Sequence, residues 1–93
     1  MYGTVAKLTV KPGQVDAFKK SMATRESHPG IVASYLYQTD DDPDVLYLVA
    51  IFTGKDSYFA NADRPEMNAE FEQMMTFLVA EPEWHDGQVV RVE

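Results

Sequence analysis

Two polar side chains in this sequence have the chemistry to handle protons, His85 and Asn61. His85 stands between Trp84 and Asp86, so a neighbouring carboxylate could orient the imidazole as a general base. Asn61 carries an amide, which can both donate and accept hydrogen bonds. We therefore predict His85 and Asn61 as the catalytic residues, against the alternative that residues 84–87 form an ordinary turn.

Aromatic and methionine side chains are frequent in the chain and could line a cavity for a planar apolar molecule. The alternative is that they only fill the core, as Met and Phe at helical spacing commonly do. Tyrosine hydroxyls, with the Asn61 amide and the His85 imidazole, would be the polar groups that hold a phenol or carbonyl. The predicted substrate-binding residues are Tyr35, Tyr37, Tyr47, Phe59, Met67, Phe71 and Trp84.

The sequence lacks the residue spacings that metal binding, phosphate binding and nucleophilic catalysis require. The second histidine, His28, precedes Pro29 and is expected to be a surface loop residue, and no histidines stand at metal-ligand spacing. The acidic run from Asp40 to Asp44 opens like a calcium loop, but Val45 occupies the position that requires glycine, so a solvated turn is expected. No glycine-rich phosphate loop or nucleophile elbow is present. We expect no metal and no other cofactor.

Composition and charge restrict the class of protein. The chain has 93 residues, 45% of them hydrophobic and 25% charged, which is typical of one small globular domain over residues 1–93. The absence of cysteine favours the cytoplasm over an oxidising compartment. A net charge of −7 repels phosphate backbones and anionic headgroups, so nucleic acid is not an expected partner. No window approaches the roughly 20 apolar residues of a membrane span, so we expect no membrane association.

Changes in hydrophobic period divide the chain into strands and helices. A period of two alternates with a helical period, in the order β-α-β-β-α-β. This order predicts an α+β, ferredoxin-like fold: a four-stranded antiparallel sheet with two helices on one face. A turn at 84–87 leads into the last strand. The predicted strands are 2–10, 31–39, 45–53 and 87–93, and the predicted helical stretches are Pro12 to about Glu26, about 55–63, and a longer one that includes 67–78.

The strand at 45–53 is apolar on both of its faces, which indicates that both sides of the sheet are covered there. Two helices cover one side only, and monomers rarely expose a contiguous apolar patch of more than a few hundred Å². We therefore predict a homodimer that packs sheet against sheet through the open faces. Strand parity alone leaves open which residues face the helices.

The element order and its turn motifs resemble the antibiotic biosynthesis monooxygenase (ABM) superfamily of dimeric α+β barrels, over nearly the whole chain. The motifs are Lys11-Pro12-Gly13, His28-Pro29-Gly30, and the stretch from Phe52 and Asp56 through Phe59-Ala60-Asn61 to Arg64-Pro65-Glu66-Met67. The resemblance implies a dimeric α+β barrel. It also implies a cofactor-independent monooxygenase acting on a phenol, a hydroquinone or a polyketide-like molecule.

Some family positions differ in this chain. Many members have a histidine in place of Asn61 and another in place of Glu66. Haem-degrading members have an asparagine where Ala6 stands and an axial histidine on the second helix, but residues 65–80 contain none, so haem degradation is not expected. The main alternative to a monooxygenase is a non-catalytic dimeric ferredoxin-like protein that binds a small ligand or has a structural role. An isomerase or cyclase on the same fold is a further alternative.

Overall fold

The computed structural model describes residues 1–25 and 27–93 and contains seven elements in these ranges. The elements are β1 (Tyr2–Thr9), α1 (Val15–Ala23), β2 (Ile31–Gln38), β3 (Val45–Phe52), α2 (Lys55–Ala62), α3 (Pro65–Met75) and β4 (Glu83–Gln88). The strands form one antiparallel sheet in the order β2-β3-β1-β4, so β2 and β4 are its edges. The predicted ferredoxin-like order is confirmed, with the second helical region divided into two helices.

Local sequence explains where the helices begin and end. Pro65 occupies the first turn of α3, where no backbone N–H is needed, and Arg64 before it is extended, as a residue preceding proline must be. This break separates α3 from α2. Helix α1 ends at Ala23, and Glu26, the predicted end of this helix, lies outside the described residues. Among the described residues, no helix combines the length and hydropathy required to cross a membrane.

The core lies between the helices and one face of the sheet. Ala6 and Leu8 on β1 and Phe18 on α1 are completely inaccessible to solvent, and Leu46 on β3 is nearly so. Alternate residues of a strand share a face, so the even-numbered positions of β1 face the helices. The core cluster consists of Ala6, Leu8, Val10, Phe18, Leu46, Met74 and Leu78.

The prediction for the end of the chain was wrong. The expected turn at 84–87 lies within β4, which pairs antiparallel with β1 and places Trp84 opposite Ala6 and Asp86 opposite Thr4. The expected strand at 87–93 is not formed beyond Gln88. The reason is that the free edge of β1 offers backbone hydrogen bonds to any sequence, and this pairing overrides the turn preference of Asp-Gly. All six residues of β4 are exposed, so no hydrophobic pattern marks it.

Candidate functional site

The register of the sheet determines which side chains reach the space beneath the helices. Directly paired residues point to the same face, and Thr4 pairs with Ala50 on one side and with Asp86 on the other. These three residues therefore share the helix-covered face with the core residues Ala6 and Leu8. Side chains one position along each strand lie on the opposite face, which is called the outer face below.

A cavity of about 460 Å³ lies between the helix-covered face and helices α2 and α3. Its walls are mainly apolar and aromatic, with a small number of polar groups, which is typical of small-molecule sites. We call it the main cavity. Its polar lining residues are Thr4, Arg25, His28, Tyr58, Asn61, Asn68 and Asp86.

The main cavity brings together one predicted catalytic residue and four predicted substrate-binding residues. They are Asn61, Phe59, Met67, Phe71 and Trp84. The rings of Phe71 and Trp84 pack in a tilted arrangement with centroids 6.4 Å apart, so α3 and β4 are in contact at this point. The proposed role of these residues in binding rests on this common location.

The other predicted site residues are not among them. His85 pairs with Val5, Tyr35 with Val49, and Tyr37 with Tyr47, and all of these positions belong to the outer face. The physical reason is the period of two in a strand: Trp84 and His85 are adjacent, so they point to opposite faces. The structure therefore does not place His85, Tyr35, Tyr37 or Tyr47 in the main cavity.

Asn61 and Thr4 are buried polar residues of the cavity wall, and Asn61 has 5% of its surface exposed. Its Oδ1 accepts a hydrogen bond from Nη1 of Arg64 at 2.8 Å. Arginine can only donate, so this contact fixes the orientation of the amide. Among the described residues, its Nδ2 donates only to the sulfur of Met67, at 3.7 Å, and sulfur is a weak acceptor. Asn61 is therefore suited to donate a hydrogen bond to a ligand oxygen and unsuited to act as a base.

His28 is the main site residue that the sequence analysis missed. Its Nε2 lies 2.9 Å from Oε2 of Glu70 on α3, and 20% of its side chain is exposed, so it is not the surface loop residue that was expected. Arg25 donates from Nη2 to the backbone oxygen of Glu70 at 3.0 Å. Burial lowers the pKa of the Arg25 guanidinium, and the Glu70 carboxylate partly opposes this. Because 42 residues separate His28 from Glu70, no local motif could have revealed the pair.

Tyr58 and Asp86 form a second polar contact in the cavity wall. The Tyr58 hydroxyl donates to Oδ1 of Asp86 at 2.8 Å and so joins α2 to β4. Burial, together with this hydrogen bond and the Asp86 charge, raises the pKa of Tyr58 to about 12. The Tyr58 ring also packs edge-on against Phe52, with centroids 5.5 Å apart. The contact was missed because Asp86 was assigned to a turn.

A second cavity of about 390 Å³ adjoins the first and extends over β2. Arg25, His28, Leu48 and Ala50 line both cavities, so they lie where the two meet. Across residues 1–25 and 27–93, no group of three or more histidine, aspartate or glutamate side chains is arranged to hold a metal ion.

Comparisons with known proteins agree on one family. The family model for antibiotic biosynthesis monooxygenases (ABM) matches residues 1–73. Among curated protein sequences, no match is found.

Solved structures with the same fold include three bacterial proteins. One from Nitrosomonas europaea, named for the same family, has a TM-score of 0.83 and 17% identity, covering 98% of this chain and 100% of its own. Another so named, from Chloroflexus aurantiacus J-10-fl, has a TM-score of 0.82 and 24% identity, covering 99% and 95%. The third is an asparagine-to-alanine variant of SnoaB, a cofactor-independent oxygenase from Streptomyces nogalater, with a TM-score of 0.83 and 18% identity, covering 98% and 94%.

At these identities the structural matches establish the fold alone, whereas the sequence match to the family covers most of the chain. The chain therefore belongs to the antibiotic biosynthesis monooxygenase family.

Proposed function

We propose that the protein is a cofactor-independent monooxygenase that oxidises a small aromatic molecule, a phenol, a hydroquinone or a polyketide-like compound, bound in the main cavity. The observation that carries this proposal is the composition of the cavity wall. Aromatic and apolar side chains line the cavity together with the buried amide of Asn61, whose Nδ2 has a sulfur atom as its acceptor in the described part of the chain. The shared fold with SnoaB, a cofactor-independent oxygenase, supports the same class of reaction.

The reaction in this class can balance without an added reductant. Oxidation by O₂ of the methylene group in an anthrone-like phenol gives a carbonyl and one water molecule, so substrate and O₂ supply all atoms and electrons. Deprotonation gives an electron-rich anion that can transfer an electron to O₂. In the proposal, the Asn61 amide stabilises the negative charge that develops on the carbonyl oxygen of this substrate, and the apolar wall excludes water.

Asn61 thus takes the role of hydrogen-bond donor, one of the two roles that its amide allows. We do not retain His85 in the mechanism, because its position in β4 places it on the outer face. Trp84, Phe59, Met67 and Phe71 are proposed to contact the planar body of the substrate.

The proposal is tested by oxygen uptake of the purified, metal-free protein with hydroquinones and anthrone-like phenols, with and without a chelator. The wild type should catalyse uptake that the chelator does not change. Asn61→Asp keeps an oxygen for Arg64 but removes the amide donor, and we expect it to reduce kcat by about 10²–10³-fold, as loss of one oxyanion donor does. Gln73→Ala, on the exposed side of α3, is the control. Absence of uptake with every compound would favour the non-catalytic binding alternative.

We further propose that two copies pack through their outer faces. Tyr35 and Tyr37 are 63% and 62% exposed, and Val5 is 39% exposed, so this face presents large apolar side chains to solvent. A second copy would cover them with a self-complementary patch. Sedimentation of the wild type should give the mass of a dimer, and a monomer at all concentrations would refute the proposal. The cytoplasmic location stays an expectation from the cysteine count.

A further inference from the structure

The hydrogen bond between His28 and Glu70 determines which ring nitrogen of the histidine is available. An ionised carboxylate only accepts hydrogen bonds, so the Nε2 atom that lies 2.9 Å from Glu70 carries the proton. The lone pair of the neutral ring is then on Nδ1. A histidine oriented by a carboxylate in this way is a common arrangement for a general base.

The surroundings of His28 place a positive charge beside it. Arg25 lines the same two cavities as His28, and its Nη2 is bound to the Glu70 backbone oxygen and not to a carboxylate. The Glu70 carboxylate also acts on the Arg25 charge, and this carboxylate is shared with His28. The other titratable groups that line the main cavity are Tyr58 on α2 and Asp86 on β4.

The two polar contacts lie toward different edges of the sheet. Asp86 belongs to the edge strand β4, whereas Arg25 and His28 adjoin the second cavity, which extends over the other edge strand, β2. Strands are spaced by about 4.8 Å, so the edge strands β2 and β4, which are three spacings apart, are separated by roughly 14 Å across the sheet. When His28 is protonated, it pairs with the Glu70 carboxylate, so the Arg25 charge favours an anionic oxygen at this end. The Asp86 carboxylate repels an anionic oxygen at the other end, so charge orients an acidic ligand.

We propose that Arg25, His28 and Glu70 form a subsite for the ionisable hydroxyl of an aromatic ligand, which is bound there as its phenolate. This subsite rests on the proposed function, because it names the chemical class of that substrate. The phenol O–H bond breaks and its proton moves to Nδ1 of His28. The product is an imidazolium paired with the Glu70 carboxylate, beside a phenolate that faces Arg25. No electrons are exchanged in this step. Glu70 is a positioning residue, and His28 is the group that accepts the proton.

The test uses 4-nitrophenol, whose phenolate absorbs visible light and whose neutral form does not. Bound to the wild type, it should ionise at a pH about one unit lower than in free solution, a roughly tenfold change in its ionisation constant. His28→Asn should reduce this shift strongly and leave only the contribution of the Arg25 charge. Glu70→Gln can still hold the ring but cannot stabilise the imidazolium, so it should reduce the shift. Glu72→Gln, an exposed glutamate on the same helix, should leave the shift unchanged.

A second probe distinguishes the loss of proton transfer from a general loss of ligand binding. 4-Nitroanisole has the same ring without an ionisable hydroxyl, so His28→Asn should bind it within about twofold of the wild type, while its affinity for the phenolate falls at least tenfold. Equal loss of both probes would mean that the His28–Glu70 contact only ties the loop to α3, and would overturn the proposal. An unchanged phenolate shift in His28→Asn, or the absence of saturable 4-nitrophenol binding to the wild type, would also overturn it.

Failure of the subsite and failure of the monooxygenase proposal give different results. A His28-dependent phenolate shift without oxygen uptake would retain the subsite and refute the oxygenase. Oxygen uptake with a shift that does not depend on His28 would retain the oxygenase and refute the subsite.

Discussion

Both faces of the sheet carry apolar side chains, but the two faces differ in solvent exposure. On the helix-covered face, Ala6 and Leu8 are completely inaccessible, whereas on the outer face Tyr35 and Tyr37 are more than half exposed. Strand β3 contributes apolar side chains to both faces. The difference arises because α1, α2 and α3 pack on one side only. Burial by the chain's own helices identifies the face that holds a cavity, and hydrophobicity alone does not.

The largest expected effect is on the helix-covered face. Phe18 is completely buried and contacts Phe77 edge-on, with ring centroids 5.7 Å apart. Phe18→Ala should lower the free energy of unfolding by about 3–5 kcal/mol, since the transfer energy is lost and a cavity remains. Urea unfolding measures this. Val79→Ala, at an exposed position, should change stability by no more than about 0.5 kcal/mol. A similar loss in both variants would contradict the assigned core.

The next largest effect is expected where the backbones of β1 and β3 are in close contact. A Cβ at Gly3 would overlap the carbonyl oxygen of Ala50, so Gly3→Ala must move β1 away from β3. Forced overpacking of this kind costs about 1–3 kcal/mol. Gly87, which pairs with Gly3 on β4, has open space at the same point, so Gly87→Ala is the matched control. Thermal unfolding of the two variants should differ; equal midpoints would show that the strands are not so closely spaced.

A charge introduced on the outer face should weaken the association of two copies. Tyr35→Asp should weaken self-association at least tenfold, about 1.4 kcal/mol, because it places a carboxylate in the proposed dimer contact. Folding of the chain should be retained, since the Tyr35 side chain is largely exposed. Sedimentation over a concentration series measures the change. Gln73→Asp adds the same charge on the exposed side of α3, and if it dissociated the dimer equally, the contact would not be at the outer face.

The smallest expected effect is at the edge of the main cavity. Tyr58→Phe removes the hydrogen bond to Asp86 and should cost about 0.5–1.5 kcal/mol at neutral pH. Because the pKa of Tyr58 is raised to about 12 from an ordinary value of 10, the folded state favours the protonated form. This stabilisation is present below pH 10 and is lost as the pH rises to 12. The stability difference between wild type and Tyr58→Phe should therefore shrink over that range, and a constant difference would contradict the assignment.

The fold was largely predictable because the helices and the strands β1, β2 and β3 have clear hydrophobic periods. The covering of both faces of residues 45–53 is observed for the helix-covered face and stays a prediction for the outer face, and the sequence could not assign a face to each parity. The face to which each strand position points decides which residues reach the cavity. The observed pairing puts Tyr35, Tyr37, Tyr47 and His85 on the outer face. Strand β4 was missed because an exposed edge strand is defined by its partner's backbone and not by its own side chains.

The polar part of the site was less accessible to prediction than the apolar part. Asn61, Phe59, Met67 and Phe71 lie on two consecutive helices, so their helical spacing brings them to one wall. The pair of His28 and Glu70 depends on how a loop meets a distant helix. A histidine beside Pro-Gly gives no local sign of that contact.

The most direct measurement compares the two predicted catalytic residues, which lie on opposite sides of the sheet, in one oxygen-uptake assay with a hydroquinone or anthrone-like substrate and a chelator. Asn61→Asp, on the helix-covered side, should reduce kcat by about 10²–10³-fold. His85→Ala, on the outer face, should retain turnover within about twofold of the wild type. Loss of turnover in His85→Ala with retention in Asn61→Asp would contradict the assignment of the chemistry to the main cavity.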